Sequence, residues 1–197
     1  MLKTIKPEIR IIGWDDAPFL FTDKYTMIVG VICRGGLQID GLLTSKIRID
    51  GNDVTEKMAM TINKSKHKQQ LRVIMLDGIT FGGFNIVDIQ ELNKKTNLPV
   101  IVIIRERPSL KAIKKCLSRF SDANERLLKL EKAGKIKKLE IKNKVLKGRK
   151  TIYYQCYGID KNTCENIIKL TAVNSLVPEP IRVAHIICNG LKGVKKI

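Results

Sequence analysis

A chain of 197 residues with 44% hydrophobic and 28% charged side chains carries enough apolar material for a packed core, which excludes a disordered or fibrous protein. No apolar stretch approaches the ~20 residues that cross a bilayer, and the opening MLKTIKPEIR lacks the apolar centre of a secretory signal, so the expectation is a cytoplasmic protein with no membrane partner. The formal charge of +18 is unevenly spread: residues 1–110 hold 16 basic and 12 acidic side chains, residues 111–150 hold 15 and 4, and the rest adds +3.

Residues 9–14 read as a first strand that ends at Gly13-Trp14-Asp15-Asp16. Residues 27–33 and 37–49 read as the second and third strands, joined into an antiparallel hairpin by Arg34-Gly35-Gly36. Asp50-Gly51-Asn52-Asp53 breaks that pattern. Asp53 is expected to cap a helix running to about Lys64, with Glu56 three residues on completing a capping box. After the polar loop 65–70, the apolar run 73–76 is short enough for a buried strand and ends on Asp77-Gly78. Ile86, Val87, Ile89, Gln90 and Leu92 follow in near-helical rhythm, and a second apolar strand, 99–104, delivers Arg105 and Arg107. A strand–helix–strand unit of this length is a right-handed parallel crossover with both strand ends on one sheet edge. Ligands of such sheets bind beyond that edge.

Helical patterns return at 110–120 and 123–132, the second closed by Gly134. Segments 136–145 and 151–157 flank Lys147-Gly148-Arg149-Lys150, a hairpin with a basic tip. More than half of the positive excess lies in 111–150, the footprint of a polyanion site, most often nucleic acid. A short helix at 160–172 and a last one at 179–190, with Pro180 in its first turn, complete the chain. The five cysteines are scattered without a C-x-x-C pair and read as free thiols.

These elements predict an α/β domain over residues 1–197: a mixed sheet of order 3-2-1-4-5, helices on both faces, and an extra C-terminal hairpin and helices. In that order Asp15 and Asp77 end adjacent parallel strands at one edge. Two carboxylates meeting there are natural ligands of a hard divalent cation such as Mg²⁺.

This arrangement resembles the ribonuclease H-like fold, and three motifs resemble endonuclease V: Gly13-Trp14-Asp15 closing strand one, Asp77-Gly78 closing strand four, and Leu98-Pro99 opening an apolar strand that ends in a cation, Arg105. The wording DGITFGGFNIVDI and PEPIRVAHII is similar to a mostly archaeal family, domain of unknown function 99 (uncharacterised protein family 0215), related to endonuclease V. The resemblance implies Asp15 and Asp77 as central ligands of Mg²⁺ or Mn²⁺. Glu56 is the third acid by position, with Asp50 and Asp53 as fallbacks. His185 or Glu179 of the last helix is the fourth group, and Arg105 faces a phosphate.

The expected activity is a metal-dependent nuclease on DNA or RNA with a preference for single strands, gripped by Arg105, Arg107, Lys147, Arg149 and Lys150. Trp14 or Phe19 is a candidate for stacking on a base. The alternative is a non-catalytic nucleic-acid-binding protein on the same fold.

Overall fold

Strands buried on both faces read as unbroken apolar runs, and strands with one wet face alternate. Both kinds occur in the computed structural model, which describes residues 5–20, 22–142, 148 and 150–191. β1 (Arg10–Asp16) is buried almost throughout. It pairs antiparallel with β2 (Tyr25–Arg34), which pairs antiparallel with the half-exposed edge strand β3 (Gln38–Arg48). The helix α1 (Val54–Lys64) then leads to β4 (Leu71–Asp77), which lies parallel to β1. A small antiparallel hairpin, β5 (Thr80–Phe81) and β6 (Asn85–Ile86), precedes α2 (Ile89–Thr96). β7 (Val100–Ile104) returns parallel to β4.

The expected order 3-2-1-4-5 holds, with β7 in fifth place, and two further strands extend it. After α3 (Leu110–Leu117) and α4 (Ala123–Lys132), β8 (Lys137–Ile141) and β9 (Lys150–Tyr157) form the predicted C-terminal hairpin. That hairpin joins the main sheet, because β9 pairs antiparallel with β7, giving seven strands in the order β3-β2-β1-β4-β7-β9-β8. The chain ends in α5 (Lys161–Thr171), capped by Asp160 through Thr163 N–H at 2.9 Å, and α6 (Glu179–Gly190).

Strand residues alternate between faces. Ile11, Val73, Met75, Ile101 and Ile103 pack toward α5 and Ile181 of α6. Ile12, Trp14, Ile74, Leu76, Val100 and Val102 pack with α1 and α2 on the other side. Asp15 and Asp77 continue the first series and Asp16 the second.

Two helix starts differ from expectation. Asp53 makes no side-chain cap for α1, because its carboxylate accepts the Arg48 N–H and the Asn85 amide instead. Asn85 Oδ1 takes the Val54 N–H from 31 residues away. Ile86 and Val87 belong to the hairpin and the segment after it, so α2 begins at Ile89, where Asp88 accepts the N–H groups of Gln90 and Glu91. The five cysteines are unpaired. Among the described residues, no helix is long and apolar enough to cross a membrane.

Candidate metal centre

The parallel pairing of β1 and β4 sets Trp14 opposite Leu76, so the next residues, Asp15 and Asp77, leave the sheet side by side. At Gly78 the backbone turns away with φ +83°, a left-handed value that favours glycine, while its N–H still bonds to Ile103 O at 2.9 Å. The third partner comes from α6, which packs on β1 and β2 through Ala184 and Cys188. Gly13 permits this approach. A Cβ there would lie 2.6 Å from Pro180 Cβ and 2.7 Å from Ile181 N, so only glycine lets the helix start sit on the strand.

His185 Nδ1 then lies 2.7 Å from Asp15 Oδ2. One turn on, Asn189 Nδ2 lies 3.0 Å from His185 Nε2. Asn189 thereby steadies the imidazole ring against Asp15. Asp15, Asp77 and His185 each offer one donor atom, and the three lie within 4.8 Å of one another. Among the described residues this is the one group of three or more His, Cys, Asp or Glu side chains able to hold a metal ion.

The electrostatics fit a cation. Burial, reinforced by the charge of Asp77, pushes the Asp15 carboxyl up to about 6 from an ordinary 3.8, and the His185 hydrogen bond opposes this. Asp16, on the opposite face, is also raised by burial; its carboxylate accepts the Gly82 N–H at 2.9 Å. Asp77 is paired with the Arg105 guanidinium through both carboxylate oxygens. A pair of acids, Asp15 buried and Asp77 half-buried, held by one arginine and one imidazole is short of positive charge, and a divalent ion would supply it.

The structure brings Asp15, Asp77, His185 and Arg105 together and leaves the other expected site residues elsewhere. Glu56 projects from α1 with its side chain 62% exposed and pairs with Lys95 of α2 at 2.7 Å, outside the acid group. The same pairing leaves the expected capping box unmade. Asp50 and Asp53 are engaged in the loop after β3: Asp50 accepts the Phe84 N–H at 2.8 Å, and Asp53 holds Asn85 at 2.7 Å. Glu179 is buried against Arg182 in a two-bonded ion pair at 2.7 and 2.8 Å, so the last helix contributes His185 instead.

Trp14 is fully buried among core residues, because its alternation turns it inward against Gly30, and it cannot reach a base. Arg107 is exposed beyond β7, and Lys150 is exposed at the start of β9. Lys147 and Arg149 lie outside the described residues. Within the basic segment, Arg126 is 3% exposed and donates to the carbonyls of Asp50, Gly51 and Phe84, so it serves the fold and not a phosphate.

Two residues escaped the sequence reading. Asn189 stands four positions after His185, the spacing of neighbours on a helix face, and that signal could have found it. Asp16 was legible only as the second half of an Asp-Asp pair.

Residues 7–192 match the family model described as endonuclease dU. A UPF0215 protein of Methanosarcina mazei is 51% identical over 189 residues, covering 95% of this chain and 92% of the relative. Another, of Methanothermobacter thermautotrophicus, is 46% identical over 191 residues, covering 96% and 90%. A protein of unknown function from Archaeoglobus fulgidus superposes with a TM-score of 0.81 at 31% identity, covering 92% of this chain and 97% of that one. Ciona intestinalis endonuclease V, in complex with a DNA that contains inosine, superposes with a TM-score of 0.62 at 15% identity, covering 95% and 86%. That likeness, and one to Aquifex aeolicus Argonaute with a TM-score of 0.57, identify the fold as ribonuclease H-like. The motifs at Asp15 and Asp77, the sheet order and the match along nearly the whole chain agree: the chain belongs to the endonuclease dU family.

Proposed function

We propose that this protein is a divalent-metal-dependent endonuclease, carried on a single ribonuclease H-like domain, that cuts DNA at deoxyuridine. The observation that carries the reading is the convergence of Asp15, Asp77 and His185 donors within 4.8 Å at the ligand-binding edge of the sheet. The family's description, endonuclease dU, supports the choice of deoxyuridine. The donor set of two carboxylates and one imidazole nitrogen fits Mg²⁺ or Mn²⁺. Bound there, such an ion would supply Lewis-acid stabilisation of the charge that builds on the cleaved phosphate and would make a bound water more acidic.

The chain's own groups supply the rest. Asp15 and Asp77 would hold the cation through their carboxylates. His185, its ring orientation fixed by Asn189, would complete the donor set with one imidazole nitrogen. Arg105, nearly half exposed beside Asp77, is free on its outer side to meet a phosphate oxygen. The exposed lysines of α3, Lys111, Lys114 and Lys115, add an attraction for the backbone that does not depend on sequence.

The test is incubation of purified protein with end-labelled oligonucleotides containing one deoxyuridine, deoxyinosine or thymidine, single- and double-stranded, in Mg²⁺, Mn²⁺ or EDTA. Metal-dependent cleavage of the deoxyuridine strand, absent in Asp77→Asn, is the expected result. Salt-sensitive binding with no cleavage under any condition would instead support the second reading, a non-catalytic nucleic-acid binder. The Arg105–Asp77 pair favours that alternative, since an arginine already partly fills the role of the ion.

A further inference from the structure

The register of the first three strands places an aromatic and two cations on the face that carries the metal centre. Asp15 pairs with Val29, and Val29 with Thr44, so these three share a face. Val29 packs with Ala184 and Cys188, which makes this the α6 face. Two positions outward Met27 pairs with Lys46, and two further Tyr25 pairs with Arg48. Tyr25 therefore lies four residues beyond the level of Asp15, about 13 Å along β2 at ~3.3 Å per residue.

The groups there are arranged for a ligand that is both anionic and flat. Tyr25 is 40% exposed at the edge of the sheet, and Lys46 Nζ lies 4.8 Å from its ring centroid. Lys46, Arg48 and Lys57 line a groove of about 950 Å³ with Tyr25. None of the three cations pairs with an acid among the described residues. The groove's two carboxylates, Asp50 and Asp53, are turned to backbone and amide N–H groups, and its fourth cation, Arg126, is buried on carbonyls. The loop that lines the groove is tied to the end of β1, since Asp50 N–H bonds to Gly82 O and Gly82 N–H to Asp16, the residue after Asp15.

We propose that the β2–β3 face bearing Tyr25, Lys46 and Arg48 is the track on which single-stranded DNA lies as it leaves the Asp15–Asp77 centre, with Tyr25 stacking on an unpaired base and the two cations on its phosphates. The inference rests on the nuclease reading above and assigns the stacking role expected of Trp14 to a residue that solvent can reach. A base on a tyrosine ring gains stacking whatever its identity, and flanking cations hold the backbone, the pairing that sequence-tolerant strand binders use.

The test is fluorescence anisotropy with a labelled single-stranded 20-mer in EDTA, which prevents cleavage. Tyr25→Ala is expected to weaken binding about 5- to 100-fold, the span of one lost stacking contact. Tyr25→Phe should stay within about twofold of the parent, and Lys46→Ala/Arg48→Ala should weaken binding and flatten its salt dependence. An iodouracil-substituted strand irradiated with the unaltered protein should crosslink to the peptide containing Tyr25, a readout no folding defect in a variant can mimic. If the parent binds and cuts while Tyr25→Ala binds equally well and no crosslink forms at Tyr25, this inference is overturned and the nuclease reading stands. If the parent neither binds nor cuts, both fail together.

Discussion

Asp15 is the side chain on which the proposed chemistry of the site turns. Its folded-state pKa of about 6 stands above the ordinary 3.8, so the fold holds this proton more tightly than the unfolded chain does. The stability that follows is complete below about pH 4 and is lost as pH rises through 6, at most about 3 kcal/mol for a two-unit shift. A cation that binds the ionised form works in the opposite sense. Mn²⁺ should therefore raise the melting temperature more at pH 8 than at pH 5, and Asp15→Asn should remove both the metal response and the pH-dependent loss. Equal Mn²⁺ shifts at the two pH values would separate the ion from Asp15. For Asp77→Asn, metal-dependent cleavage should fall by about a hundredfold or more, the scale of several kcal/mol of transition-state charge stabilisation. Asn189→Ala should reduce metal affinity or rate by about 10–100-fold by releasing the His185 ring, with little change in fold stability. Sequence alone made Asp15 and Asp77 legible because each closes an apolar run at a sharp break. Glu56 misled because helical position does not reveal that Lys95, from α2, takes its carboxylate.

At the scale of elements, the approach of α6 to β1 decides whether His185 reaches Asp15. Gly13→Ala forces the start of α6 off the strand and should destabilise the protein by about 1–3 kcal/mol, measured by chemical denaturation, while also weakening Mn²⁺ binding. Gly190→Ala, where a Cβ meets nothing within 4 Å, is the control and should change neither. The loop after β3 is held by Arg126, whose guanidinium reaches three carbonyls and lies 4.4 Å from the Phe120 ring. Arg126→Ala leaves those carbonyls without their donor and should cost about 3 kcal/mol or more in the same experiment, unlike truncation of an exposed lysine of α3. The long strands and amphipathic helices were legible because their periods differ. The β5–β6 hairpin was not, because two-residue strands carry no period, and Ile86 and Val87 fell by coincidence into the rhythm of the helix that follows.

Across the whole molecule, the sheet gathers Asp15, Asp77 and Arg105 onto one edge. β1, β4 and β7 run parallel and deliver Asp15, Asp77 and Arg105 in adjacent positions, while α6 covers the same face with His185. The core strand order could be anticipated from connection lengths and handedness. That β9 would pair with β7 and enlarge the sheet could not, because an antiparallel hairpin carries no mark of which edge it will join. The proposed nuclease requires that Asp15, Asp77 and His185 share one ion. A crystal of the protein soaked in Mn²⁺ should show an anomalous difference peak bound to both carboxylates and to the imidazole, and the peak should vanish in Asp77→Asn. Well-ordered carboxylates with no peak between them, Arg105 still seated on Asp77, would contradict the metal centre and the nuclease built on it.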